Sequence, residues 1–311
     1  MGLSLEGVGR FRVNVFRQRG EAAMVVRYIK DVIPSIDELR LPQVLKRLIM
    51  EPRGLILVVG GTGSGKSTTV ASMIDYRNQG TPGHILTIED PIEFIHRHKR
   101  SLVNQREVGL DTQSYGAALK NALRESADLI YIGEIRDRDT MQHAVAYAET
   151  GHLCVSTLHA NNANQALDRI INFFPAAAHR QVFNDLSLNL KAVVSQRLIP
   201  ALSGGLVPAV ETMILSSYVS ELIRKGEVKD VKEAMDQSDM HGMKTFDQAL
   251  FELYQDGCIS LEEALENADS RNDLSLRIRL DAAAGEVASV DGIAEDATDF
   301  ENYPSEMSTT H

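Results

Sequence analysis

Leu55-Ile56-Leu57-Val58-Val59-Gly60-Gly61-Thr62-Gly63-Ser64-Gly65-Lys66-Ser67 sets five apolar residues directly ahead of a glycine-rich octapeptide. Gly60 to Ser67 spells G-x-x-x-x-G-K-[ST], after a strand-like run and before the helical spacing of residues 67–76. That order, strand then loop then helix, is what phosphate binding needs. The glycines let backbone N–H groups turn inward, and the helix start adds a favourable dipole. Gly60, Gly61, Thr62, Gly63, Ser64, Gly65, Lys66, Ser67 and Thr68 are therefore the candidate nucleotide-binding residues. Lys66 is expected to reach the β- and γ-phosphates of ATP, and Ser67 to ligate Mg²⁺.

Outward from this loop the pattern alternates between strand and helix, the mark of a parallel sheet with crossover helices. Short apolar runs recur at 55–59, 129–132 and 153–155, with a near match at 85–88 broken only by Thr87. Each suits a strand covered on both faces. Helical spacing fills 67–76, 115–124, 140–148 and 164–173. Before the loop, Phe11, Val13 and Val15 alternate with Arg12 and Asn14, which predicts a strand, and 23–29 predicts a second. Two strands alone bury too little to be stable, so they read as part of a larger sheet. Past about Glu211 only helical patterns are expected, at 219–224, 231–235, 245–255 and 261–267. The expected organisation is α/β, with a partial N-terminal sheet domain (1–36), an ATPase domain (37–212), a helical region (213–275) and an acidic disordered tail (276–311).

The net charge of −11 is unevenly spread, because eight acidic residues and no Lys or Arg follow Arg279. That segment lacks apolar periodicity and reads as disordered. Cys154 and Cys258 stand far apart, without the close ligand spacing of a structural zinc site. No apolar run approaches the roughly 18 residues of a membrane-spanning helix. The start, Met1 to Glu6, lacks the basic and apolar regions of a secretory signal, so a soluble intracellular chain is expected.

Three further segments carry chemistry. Asp128 to Glu134 reads as a buried strand whose carboxyl end delivers Glu134 beside the phosphate loop, where it can orient or deprotonate the attacking water. A second strand ends at Glu89-Asp90-Pro91-Ile92-Glu93. There Glu89 is a candidate for metal or water, while turn duty explains Asp90 equally well. In the stretch 151–161, His152 opens a strand and His159 closes it, which places His159 to touch the γ-phosphate.

With these residues quoted, the chain resembles the secretion-ATPase superfamily. Asn104 to Gly109 and Ser217 to Gly226 resemble the PilT/PilU type IV pilus retraction ATPases in particular, over roughly 9–267. The looser match at 217–226 favours the PilU-like branch, whose members work with PilT. The resemblance implies a RecA-like ATPase domain and a hexameric ring, homomeric or mixed with a PilT-type ATPase. It also implies a peripheral, cytoplasmic position at the inner membrane beside the pilus platform protein. Only the last strands of the family's small sheet domain precede the linker here. Arg10 and Arg12 match arginines that the family uses to reach the nucleotide at an inter-domain or inter-subunit cleft, with Arg27 a weaker candidate. Alternation along a strand puts the first two on one face.

Rival readings are a nucleotide-gated assembly protein with weak hydrolysis, a small-molecule kinase, and a related secretion or DNA-transport ATPase. Intact Lys66, Glu89, Glu134 and His159 oppose the first, and nothing marks an acceptor pocket for the second. Two isolated cysteines do not form the four-cysteine insertion of extension and secretion ATPases. No basic, aromatic-interleaved patch suggests nucleic acid.

Overall fold

In the computed structural model the described residues are 2–5, 8–29, 32–238 and 242–282. They form two sheets. The first is antiparallel, β1 (Gly2–Leu5), β2 (Gly9–Gln18) and β3 (Glu21–Ile29), in that order. The second has seven strands: β4 (Gly54–Val59), β5 (Gly83–Glu89), β6 (Ser101–Glu107), β7 (Leu129–Ile132), β8 (Leu153–Leu158), β9 (Leu190–Pro200) and β10 (Leu206–Ile214). Their spatial order is β10-β9-β4-β8-β7-β5-β6, parallel throughout except for the β9–β10 pair. This is the α/β architecture expected of the alternating pattern.

Every residue of β4, β7 and β8 is buried, which is why β4 and β7 read as unbroken apolar runs and β8 begins as one, at 153–155. The edge strand β6 is different. Leu102 and Asn104 face out while Ser101 and Val103 face in, so no apolar run marks it. Strands also continue past Glu211, since β10 ends at Ile214. The boundary is close to the one expected, but the hairpin itself was not read from the sequence: β9 and β10 pair along their length, and their residues Ser195, Gln196, Glu211 and Thr212 are buried.

That hairpin has a second use. Ile199, Val207 and Ala209 pack with Phe246, Leu250, Phe251, Ile259 and Leu274 in a cluster separate from the main core. The helical region is thereby seated on the sheet, and Arg197 stacks on Phe246 at 3.9 Å. Helix starts are capped as their sequences dictate. Ser114, Asp137, Asn162, Ser216 and Ser260 each accept a backbone N–H in the first turn, and Thr245 with Gln248 forms a capping box. Helix continues over residues 271–282, and the remainder of the acidic tail lies outside the described residues. Among the described residues no helix is long and apolar enough to cross a membrane.

Candidate active site

Four parallel strands deliver their carboxyl ends to one edge of the sheet in the order β4, β8, β7, β5. Past β4 comes the glycine-rich loop, past β8 His159, past β7 Glu134, and β5 closes on Glu89 and Asp90. Ligands of open α/β sheets bind at this edge. Lys66, Ser67, Thr68, Glu134 and His159 do line one cleft there, of about 660 Å³.

The loop is held by close approaches that only glycine permits. At Gly60 a Cβ would fall 2.3 Å from Ser64 Oγ and 2.6 Å from the Gln196 carbonyl oxygen. At Gly65, φ is +87° and a Cβ would fall 2.7 Å from Gln196 Nε2. Lys66 is buried, and its Nζ donates to the carbonyls of Gly60 at 3.0 Å and Gly61 at 2.7 Å. Burial lowers its pKa, while Glu134 and Glu93 act in the opposite sense. A desolvated ammonium held at the mouth of a helix start is well matched to a phosphate. Ser64 Oγ is buried without a partner in the loop, which fits a cradle that gains contacts from its ligand.

Glu134 is fixed through its neighbours. Gly133 N–H donates to Ile88 O at 2.8 Å, and Ile135 N–H donates to Thr157 O at 2.9 Å. Thr157 Oγ1 also donates to Gly133 O at 2.6 Å. The carboxylate itself meets His159 Nε2 at 3.2 Å through Oε1 and accepts from Arg136 Nε at 2.8 Å through Oε2.

Glu89 borders the same cleft, yet its carboxylate is already committed. It is buried and accepts from Thr87 Oγ1 at 2.7 Å, from Gln105 Nε2 at 3.2 Å and from the Glu93 backbone. Burial pushes its pKa up to about 7. Glu93, four residues on, is exposed, lines the cleft and acts electrostatically on Lys66. The acidic box thus has an inward member and an outward one, a distinction that spacing alone did not make.

Arg12 and Arg27 are directly paired across β2 and β3, and both line the cleft. Arg27, the weaker candidate in the sequence, stands equal to Arg12 by position. Arg10 is on β2, and its side chain lies outside what the structure describes. His152 does not line the cleft; its Nδ1 lies 3.1 Å from Thr150 Oγ1. Sequence reasoning also missed Gln196, whose Oε1 accepts from Thr69 Oγ1 at 2.6 Å, and Tyr115, which lines the cleft beside Gly133.

A mainly parallel sheet with this loop and a carboxylate at the next strand ends defines a P-loop nucleoside triphosphatase. Within that class the chain belongs to the Type II/IV secretion system protein family, whose model matches residues 6–266. It is 57% identical over 279 residues to the type IV pilus ATPase PilU of Pseudomonas aeruginosa, covering 89% of this chain and 73% of that protein. It is 47% identical over 262 residues to the retraction ATPase PilT of the same organism, covering 84% and 76%. Among solved structures it resembles the pilus retraction motor PilT with bound ADP. The TM-score there is 0.83 at 46% identity, covering 88% of this chain and 78% of that one.

Proposed function

We propose that this chain is a motor ATPase of type IV pilus retraction and twitching motility, of the PilU-like branch. The observation that carries the reading is the cleft in which Lys66, Glu134 and His159 converge, in a chain 57% identical to PilU. In this reading Lys66 and the loop N–H groups hold the β- and γ-phosphates, and Glu134 takes the proton of the attacking water. His159, 3.2 Å from Glu134, responds to loss of the γ-phosphate. Arg12 and Arg27 supply positive charge where it develops on the transferred phosphoryl group, a contribution worth roughly 10³–10⁵ in rate in comparable enzymes.

Ser67 would hold Mg²⁺, with Glu93 on the carboxylate side, and a bound ion would neutralise phosphate charge. A second cleft, of about 360 Å³, shares Gly65, Thr68 and Leu198 with the phosphate site and is also walled by Leu39, Leu41 and Val207. Its apolar walls beside the loop suit the nucleoside end of ATP.

The same reading includes a hexameric ring, homomeric or mixed with a PilT-type partner, peripheral to the inner membrane and in contact with the pilus platform. The test is phosphate release by the purified chain, alone and with a PilT-type ATPase, beside restoration of twitching in a strain lacking its PilU-type ATPase. Lys66→Ala should abolish tight ATP binding, the chain's own phosphate release and its restoration of twitching. Unchanged ATP affinity of that variant in a calorimetric titration would overturn the assignment.

A further inference from the structure

Arg136 stands two residues beyond Glu134, and the chain between them is pinned. The buried Ile135 gives its N–H to Thr157 O at 2.9 Å, and Asp137 caps the next helix by accepting from Thr140 N–H at 2.8 Å. The Arg136 guanidinium turns back onto Glu134, its Nε donating to Oε2 at 2.8 Å, while its NH1 lies 3.9 Å from Asp90 Oδ2. It bridges the ends of two different strands, β7 and β5, and lines the cleft.

An ionised carboxylate offers about four acceptor sites on its two oxygens. Left alone, a Glu side chain at a strand end samples several rotamers, and few of them aim a lone pair at a bound water. Here Oε2 is tied to Arg136 and Oε1 faces His159. One oxygen is held, and the other is left to the reaction.

We propose that Arg136 is the positioning residue of the general base, fixing the Glu134 carboxylate in one rotamer. This rests on the ATPase reading above, in which Glu134 accepts the proton of water. Arg136 acts through Glu134 and does not itself touch the γ-phosphate. Because the pair is more than half exposed on the arginine side, its contribution to stability is small. Its effect falls on chemistry.

The experiment compares wild type, Arg136→Ala, Arg136→Lys, Glu134→Gln and the double variant in steady-state ATP hydrolysis. Removing the guanidinium should lower kcat by roughly 10–100-fold, the scale set by misplacing a reacting group, with KM for ATP within about twofold. Arg136→Lys should recover part of the rate. Arg136→Ala should add nothing to Glu134→Gln, since both act on one proton transfer. A rise in KM alone would place Arg136 on the nucleotide and overturn the proposal. A rise in kcat would make it a restraint, and an additive double variant would separate it from Glu134; either result also overturns it. Absence of wild-type turnover would strike the ATPase reading itself, whereas wild-type turnover with an unaltered Arg136→Ala strikes this assignment alone.

Discussion

Thr69 Oγ1 donates to Gln196 Oε1 at 2.6 Å, joining the helix that carries the phosphate loop to the neighbouring strand β9. Both side chains are buried. The other end of the same carboxamide packs against Gly65, and the Gln196 carbonyl packs against Gly60. A single glutamine therefore sets the height of the loop above the sheet.

Gln196→Ala should loosen that loop and leave the Thr69 hydroxyl unpaired. A buried, unsatisfied group costs about 1–3 kcal/mol, part of which falls on the binding-competent loop. ADP affinity is expected to drop several-fold to about fiftyfold, read by calorimetric titration. Affinity within a factor of two of wild type would show that the contact does not shape the site.

The two acids of the β5 end should separate by their burial. Glu93→Gln is expected to slow turnover by at least about 10²-fold, the lower range for a group acting at the reacting centre. Glu89→Gln should cost much less, since the amide resembles the protonated carboxyl that burial favours and can keep the contact from Thr87. Steady-state rates at pH 6, where the Glu89 carboxyl is mostly protonated, decide the order; a reversed order would return the metal-side role to Glu89.

Arg12 and Arg27 line the cleft of their own chain. Each should therefore act on the nucleotide held by the same subunit, and Arg27→Ala should be as damaging as Arg12→Ala. Mixing Lys66→Ala chains with Arg12→Ala chains is then expected to restore no activity. Recovery in confirmed mixed assemblies would show instead that the arginine is supplied by a neighbour.

Glu211 gives a pH dependence whose sign is fixed. It is buried in β10, accepting from Ala163 N–H and Ser195 Oγ, and burial pushes its pKa up to about 7. Between its ordinary value near 4.5 and 7 the folded chain binds the extra proton, so stability falls as pH rises through that window and is level above it. Glu211→Gln should flatten the fall by an amount on the order of 3 kcal/mol at most. Denaturant midpoints at pH 5, 6, 7 and 8 measure it. Glu89 titrates over the same range and should leave a residual slope. Identical slopes in variant and wild type would remove Glu211 as the source.

The sheet centre and the phosphate loop were legible because burial on both faces writes itself as an apolar run, and because Gly60, Gly65 and Lys66 have no cheap substitutes. The hairpin β9–β10 was not legible for the opposite reason. Ser195, Gln196, Glu211 and Thr212 are buried polar residues, and only their distant partners explain them. Glu89 alone was read from the sequence as the metal or water candidate, with no role for Glu93; what separates them is Thr87 and Gln105, one of which comes from the unmarked strand β6. The pairing of Arg12 with Arg27 depended on a hairpin register that no spacing along one strand could supply.

The walls of the cleft differ in packing. One side is the parallel sheet, where β4 is buried along its whole length between β8 and β9. The other is the hairpin of β2 and β3, a single layer on which Val15, Met24, Val25 and Val26 are each more than half exposed. Thermal motion concentrates where packing is thin. Opening of the cleft should therefore occur by the arginine side lifting from a nearly immobile phosphate loop, so the residence time of spent nucleotide is governed by how firmly Arg12 and Arg27 are pressed down, and anything that covers the bare hairpin will lengthen it.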